Sequence, residues 1–354
     1  MLVNFNDNSQ PIDPSVLAHI NQTCDEHARI GLPAYGQDEI TKSCREMLSE
    51  LFARKCDTYF IPTGTGANAL AIGALVTSTD SIVCSSMSHI FMDECNVLQQ
   101  HFGVSLRPVE SIDGKLSVPA VARALQDFHS VGWYHHSLPK VISITQPTEC
   151  GAVYSAEEIR ALSLFAKEKG MYVHVDGARL PYAMAYLDTT LRENIGETGV
   201  DVLTLNATKL GGVSGNAVLF FNGMTEDKFL RLQKQAMGLV DRSWFMAAQF
   251  GALFGTERWM ENAYYSVRLA KKLGSRLESL GVSLAYPVTS NAVFCYLERH
   301  VIHKLQQQFS FYIWDERTNL CRFVCSRGIS DAEIDLLTQA ICGADTPSLS
   351  VVNA

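Results

Sequence analysis

Between residues 58 and 222 the chain alternates short β-rich runs with helical stretches, and this alternation restricts its fold more than any other feature. Candidate strands fall at 58–62, 81–85, 104–108, 141–145, 171–176, 202–206 and 217–222, with helices at 67–76, 118–128 and 156–170. Most of the strand runs are continuously apolar, as strands covered on both faces are. The pattern predicts an α/β fold with a mostly parallel sheet. In the third helix Ser155 is a natural N-cap, Glu157 and Glu158 suit the positive helix end, and Gly170 follows the last turn.

The texture changes after residue 224. Residues 226–280 read as nearly continuous helix, interrupted near 238–243 and at Gly255, and are followed by strand-like runs at 292–297 and 320–325 and a helix from about 330. The expected organisation is an N-terminal arm (1–30), a large α/β domain (31–240) and a small C-terminal α+β domain (241–354). The small, polar tail after Gly343 is expected to be disordered. With 29 Lys and Arg against 37 Asp and Glu, the net charge is −8, which disfavours binding to phosphate backbones. Apolar runs such as 69–76 are far shorter than the ~20 residues of a membrane span. The first twenty residues lack a basic segment followed by an apolar one, and the ten cysteines include no Cys-x-x-Cys. A cytoplasmic protein is expected. Cys321 and Cys325 lie on one face of a strand and read as buried apolar residues.

Three segments at strand ends carry the chemistry. HVDGAR (174–179) puts Asp176 at the carboxyl end of an apolar strand, LTLNATKLGG (203–212) leads a strand into Lys209, and PTGTGANAL (62–70) joins a strand to a helix through small residues. Gly64-x-Gly66-x-x-Ala69 resembles a dinucleotide fingerprint, but the next strand ends in Ser85 and Ser86 where that reading needs an acid. Together the three segments fit pyridoxal 5′-phosphate. It needs a phosphate cradle, a lysine for its aldehyde and an acid for its pyridine nitrogen. The Gly/Thr loop, Lys209 and Asp176 supply these, and one strand-helix-strand unit separates acid from lysine. A lysine flanked by small residues is readily desolvated, which lowers its pKa.

The same segments resemble the fold type I pyridoxal-phosphate enzymes, and within them the L-threonine aldolases of the beta-eliminating lyase group, the bacterial low-specificity kind above all. The likeness runs from about residue 5 to 337. It is carried by AYGQDE (34–39), PTGTGANALA (62–71), SHIFMDEC (88–95), ITQPTECGAVYSAEEI (144–159), HVDGARL (174–180), NATKLGG (206–212) and RFVCS (322–326). It implies a seven-stranded large domain with a smaller C-terminal domain, and retro-aldol cleavage of L-threonine, L-allo-threonine and related β-hydroxy-α-amino acids to glycine and an aldehyde. It makes Lys209 the Schiff-base lysine, Asp176 the partner of the pyridinium, Gly64, Thr65 and the Gly66 amide the phosphate cradle, and His89 the residue stacked on the ring. Arg179 and Arg322 would hold the substrate carboxylate. Tyr35 would reach a cofactor phosphate across a dimer interface, and His135, or its neighbour His136, would lie near the substrate hydroxyl. The implied partners are a small amino-acid substrate and further copies of the chain, as a homodimer or homotetramer with shared active sites, with no nucleic acid or membrane.

Some positions depart from the family pattern. Relatives commonly carry Ser-Asp near the N-terminus, where this chain has Asn6-Asp7-Asn8-Ser9, so Asn6 is expected to take the serine's place at the carboxylate. Lys209 is followed by Leu-Gly-Gly, and a basic cluster is thinned to Arg231, Lys234 and Arg242. The base that takes the hydroxyl proton stays open among His89, His135 and a bound water. A rival reaction on the same scaffold is β-elimination or cleavage of a bulkier β-hydroxy amino acid. His300 and His303 are three apart without a third ligand, so no metal is expected.

Overall fold

The computed structural model describes residues 2–126, 133–223 and 226–345. The far end of the helix expected over 118–128 and the tail beyond 345 lie outside the described residues. The strands are β1 (Val3–Asn4), β2 (Asp57–Ile61), β3 (Asp80–Ser85), β4 (Ser105–Val109), β5 (Leu138–Thr145), β6 (Tyr172–Gly177), β7 (Val202–Asn206), β8 (Asn216–Phe220), β9 (Ala292–Tyr296), β10 (Phe309–Ser310), β11 (Tyr312–Asp315) and β12 (Leu320–Val324). Seven of them form one sheet in the order β2-β8-β7-β6-β5-β3-β4. Six run in the same direction and β8 alone is reversed. The fold is therefore the mostly parallel α/β architecture expected from the sequence.

Alternate residues of single strands explain the unbroken apolar runs. Val202, Val218 and Phe220 pack with Tyr59, Leu70 and Phe229 on one face of the sheet. Leu203, Leu205, Ala217 and Leu219 point the other way, into the largest core, against Ile159, Leu162 and Ala166 of the helix Ala156–Glu168. That helix begins in the capping box of Ser155 and Glu158. Both faces are thus covered, and strict alternation has no place in these strands.

The helix after β2 begins earlier than expected, at Gly64, because Thr63 caps it by accepting the Gly66 N–H at 3.2 Å. The three residues read as a loop are the first helical turn. Gly66 is needed there because a Cβ would stand 2.8 Å from the Thr63 hydroxyl.

Beyond residue 240 the packing is continuous with the sheet. The helix Trp244–Phe254 places Met246, Ala247, Phe250 and Leu253 in the largest core, joined from the N-terminal side by Val16 and Ile20. The helix Arg258–Ser279 serves two cores, giving Ala263 and Val267 to the first and Leu269, Leu273 and Leu277 to a second. The second core lies under the antiparallel sheet β11-β12-β9 and includes Phe5, Phe309, Cys321, Phe323 and Cys325. β1 pairs with β10 and carries the N-terminus onto this unit. Cys321 and Cys325 are both buried, and all ten thiols are free. Arg322 alternates with these apolar residues and so faces away from their core. Among the described residues no helix is long and apolar enough to cross a membrane.

Candidate active site

The carboxyl ends of the codirectional strands converge on one edge of the sheet, beside the crevice where β3 and β5 meet and the chain reverses its direction of sheet growth. Ligands bind at such switch points in open α/β sheets. A cavity of about 310 Å³ lies there, bordered by Asp176 near the end of β6 and by the segments after β2 (Thr63, Gly64, Thr65), β3 (His89), β5 (Glu149), β6 (Arg179) and β7 (Lys209). The reversed β8 begins at the same edge and adds Asn216.

Lys209 sits in the short turn Thr208–Leu210. Its N–H donates to Asn206 Oδ1 at 2.6 Å, and its carbonyl accepts from the buried Tyr182 hydroxyl, so its backbone is fixed on both sides. Burial, reinforced by the Arg179 charge, brings the Lys209 amine down to about 8. A substantial neutral fraction near pH 8 is what attack on an aldehyde requires.

Asp176 is buried at the end of β6, in register with Thr204 on β7. Its Oδ1 accepts the Ala178 N–H at 2.9 Å and its Oδ2 accepts from Asn68 at 2.8 Å. Asn68 also donates to Glu94 and accepts from the Thr204 hydroxyl, and Glu94 in turn bonds His89 Nδ1 at 2.8 Å. Although burial opposes it, the His89 charge and the Ala178 N–H hold the Asp176 carboxyl below its ordinary value. The hydrogen bond to Glu94 raises His89 against the opposing effect of burial. His89, Glu94 and Asp176 offer ligand atoms within 4.8 Å of one another, but the Asn68 amide already bridges the two carboxylates. Gly177 lets the strands close up behind the acid, since a Cβ there would stand 2.6 Å from the Thr204 carbonyl oxygen.

A second cavity of about 500 Å³ adjoins the first, lined by Met87, Met92, Asp93, Tyr312, Trp314 and Arg322 among others. Arg322 is buried between Trp314 and Phe294, its carbon centre 5.0 and 5.7 Å from the two ring centroids. Its Nε is buried without a hydrogen-bond partner among the described residues. Burial, with the Arg179 charge, lowers Arg322 to about 10, which leaves it cationic at neutral pH. Arg179 is differently placed, because Asp7 takes its Nε at 2.6 Å and its Nη2 at 3.1 Å.

Among the residues expected at the site, the structure brings together Lys209, Asp176, Gly64, Thr65, His89, Arg179 and Arg322. Two expectations, for Gly66 and Asn6, need correction, while Tyr35, expected at a partner's site, and His135 do not line this chain's own cavities. The Gly66 N–H is taken by Thr63, so Gly66 shapes the cap and is not a free donor. Asn6 donates to the Tyr312 hydroxyl at 3.0 Å and caps the next turn, while Asn8, two residues on, lines both cavities. Tyr35 lines neither cavity; it is exposed in a left-handed backbone conformation, its N–H donating to the Asp241 carbonyl. His135 is exposed just before the amino end of β5, on the opposite edge of the sheet from the site. Sequence reasoning missed Asp7, Asn8, Asn68, Thr204 and Glu149 as site residues. Glu149 lay inside a quoted motif, whereas Asn68 and Thr204 carry no local signal and acquire roles only through register.

These residues suit pyridoxal phosphate. A low-lying buried carboxylate faces the cavity at one strand end, an amine of lowered pKa at the next, and a capped helix start with small side chains at a third. The helix amino end and the side chains of Thr65, Ser214 and Asn216 can hold a phosphate.

Comparison with known proteins agrees. The family model described as beta-eliminating lyase matches residues 18–300. A low specificity L-threonine aldolase of Pseudomonas sp. is 33% identical, with 93% of each chain covered. One from Pseudomonas aeruginosa is 34% identical, covering 90% of this chain and 91% of the other. The solved threonine aldolase of Leishmania major superposes with a TM-score of 0.86 at 27% identity, covering 96% of this chain and 99% of that one. The fold and site therefore define a pyridoxal-phosphate-dependent lyase of fold type I. Within that class, the chain belongs to the beta-eliminating lyase family.

Proposed function

We propose that this protein cleaves L-threonine, L-allo-threonine and related β-hydroxy-α-amino acids to glycine and an aldehyde, and that it works in the cytoplasm as a homo-oligomer. The observation that carries the reading is the pairing of two adjoining cavities: one bounded by Lys209 and Asp176, and one lined by a cationic Arg322 whose Nε has no hydrogen-bond partner among the described residues. The names of the 33–34% identical relatives support the same activity.

Bound pyridoxal phosphate supplies a conjugated system that accepts the electron pair released at the substrate α-carbon. The chain's residues do the rest. Lys209, its amine pKa lowered by burial, would hold the cofactor. Asp176, kept ionised by its neighbours, holds a proton on the pyridine nitrogen and so deepens the electron sink. His89, its orientation fixed by Glu94, would lie against the bound cofactor. Arg322 would bind the substrate carboxylate with its planar guanidinium and so fix the substrate's orientation in the site. Arg179, anchored by Asp7, borders both cavities and completes the positive end of the site. Tyr35 and His135, remote from this chain's own cavities, belong in this reading to contacts with a second subunit. A division of labour between a cofactor unit and a C-terminal unit that brings Arg322 belongs to the same proposal, with the boundary expected at 240 moved past the helix Trp244–Phe254, whose side chains lie in the large core.

The test is the absorption spectrum of the protein with pyridoxal phosphate, before and after glycine. A band beyond the aromatic region that shifts with glycine, and that Lys209→Ala abolishes, is the expected result. A chain that shows no band under any of these conditions lacks the proposed chemistry.

A further inference from the structure

Among the described residues, five line both cavities: Asn8, His89, Glu149, Arg179 and Lys209. They mark the place where substrate meets cofactor. Lys209 is committed to the cofactor and Arg179 to Asp7, and an asparagine amide is no base. His89 has Nδ1 engaged by Glu94. Glu149 is the one carboxylate in the set. It is 6% exposed, and its Oε1 is held from two sides, by the His89 N–H at 2.7 Å and the Thr145 hydroxyl at 2.9 Å. Its Oε2 is buried with no hydrogen-bond partner among the described residues. A buried acceptor left unsatisfied costs about 1–3 kcal/mol, so its retention at the junction of two cavities asks for a reason.

We propose that Glu149 is a catalytic residue whose Oε2 accepts the β-hydroxyl proton of the substrate. The inference rests on the aldolase reading above and supplies the base which that reading left open. In the step, the substrate O–H bond breaks and its proton passes to Oε2. The oxygen's electron pair forms the carbonyl of the departing aldehyde, and the Cα–Cβ pair passes to Cα. A proton delivered to Cα then completes glycine, so the overall reaction neither consumes nor releases one. Burial and the Asp176 charge raise Glu149, which makes it a better acceptor than an exposed carboxylate. The groups facing it are Asp176 on β6, His89 after β3 and Arg322 on β12, with Cys84, Cys150 and Tyr154 neutral around it.

Glu149→Gln keeps an oxygen for the His89 and Thr145 donors and removes only the base. Two reactions are measured on the holoenzyme: threonine cleavage, and exchange of the glycine α-proton with deuterated water, which needs no hydroxyl base. The expected result is a fall in kcat for cleavage of about 100-fold or more, with KM and glycine exchange close to the parent's. In the cofactor-free chain, infrared titration of parent against variant should differ by one carboxyl that protonates above the ordinary range in the parent alone, since the raised Glu94 and Asp201 remain in both. Cleavage at the parental rate overturns the proposal, and so does equal loss of both reactions. If the parent protein itself neither cleaves threonine nor exchanges glycine, it is the aldolase reading that fails.

Discussion

Replacing Asp7 by Asn should destabilise the protein, although residue 7 lies far along the chain from its partner Arg179. Asp7 is 1% exposed, and its two oxygens bind the Arg179 guanidinium at 2.6 and 3.1 Å. Burial alone would raise its carboxyl, but the charges of Arg179, Lys209 and Arg322 hold it well below the usual carboxylate range. Removing one partner of a buried pair costs roughly 3–5 kcal/mol because the remaining charge is left uncompensated. Asparagine keeps one acceptor and Arg179 borders a cavity, so the lower end, about 3 kcal/mol, is expected. At about 2 °C per kcal/mol for a chain of this size, the melting temperature should fall by roughly 6 °C. The pH dependence has a definite sign. A carboxyl with a depressed folded-state pKa contributes fully above its unfolded value, near ~3.9, and loses that contribution as pH falls toward the folded one. The gap between parent and variant should therefore be constant around neutrality and close in acid. Thermal and urea unfolding of both proteins across pH measure it. A neutral-pH gap below about 0.5 kcal/mol, the range of ordinary surface changes, or one that widens in acid, would refute the reasoning.

Other perturbations probe other links. Arg322→Ala should raise KM for threonine about 10- to 100-fold, the worth of a charge-assisted hydrogen bond, while pyridoxal phosphate binding stays near the parent's; an unchanged KM would remove Arg322 from the carboxylate site. Phe323→Ala should cost about 3–5 kcal/mol in urea unfolding, because this fully buried ring stacks on Phe311 at 4.5 Å and meets Phe5 edge-on at 5.6 Å. A cost under 1 kcal/mol would mean the second core is looser than its contacts indicate. In the cofactor-free protein, His89 should titrate above the ordinary histidine value, and Glu94→Gln should bring it down; magnetic resonance of the imidazole protons reads both, and a value at or below ~6.5 in the parent would contradict the Glu94 link.

Much of this architecture was legible in the sequence because two-sided burial leaves a mark in each strand. Val202 and Leu203 go to opposite cores, so both positions must be apolar and the strand reads as an unbroken run. Lys209, Asp176 and the Thr63–Gly66 turn were legible because each sits at a strand end in a short motif with its own chemistry. What stayed hidden depends on register and long-range approach. Asn68 gains its place from a helix laid over β6 and β7, and Asp7 from a segment that crosses 172 residues of chain to reach Arg179. The expectation for Asn6 erred by two residues because a short capped turn at Asp7–Ser9 presents Asn8, not Asn6, to the cavities. Residue type alone could not place His135, since its exposure at the amino end of β5 follows from where that strand begins.

The central claim, that the two joined cavities perform retro-aldol cleavage, is tested most directly by the products formed from L-threonine with pyridoxal phosphate present. The account predicts glycine and acetaldehyde in equal amounts, with both absent in Lys209→Ala. Formation of 2-oxobutanoate and ammonia in their place would contradict it and assign the same scaffold to β-elimination.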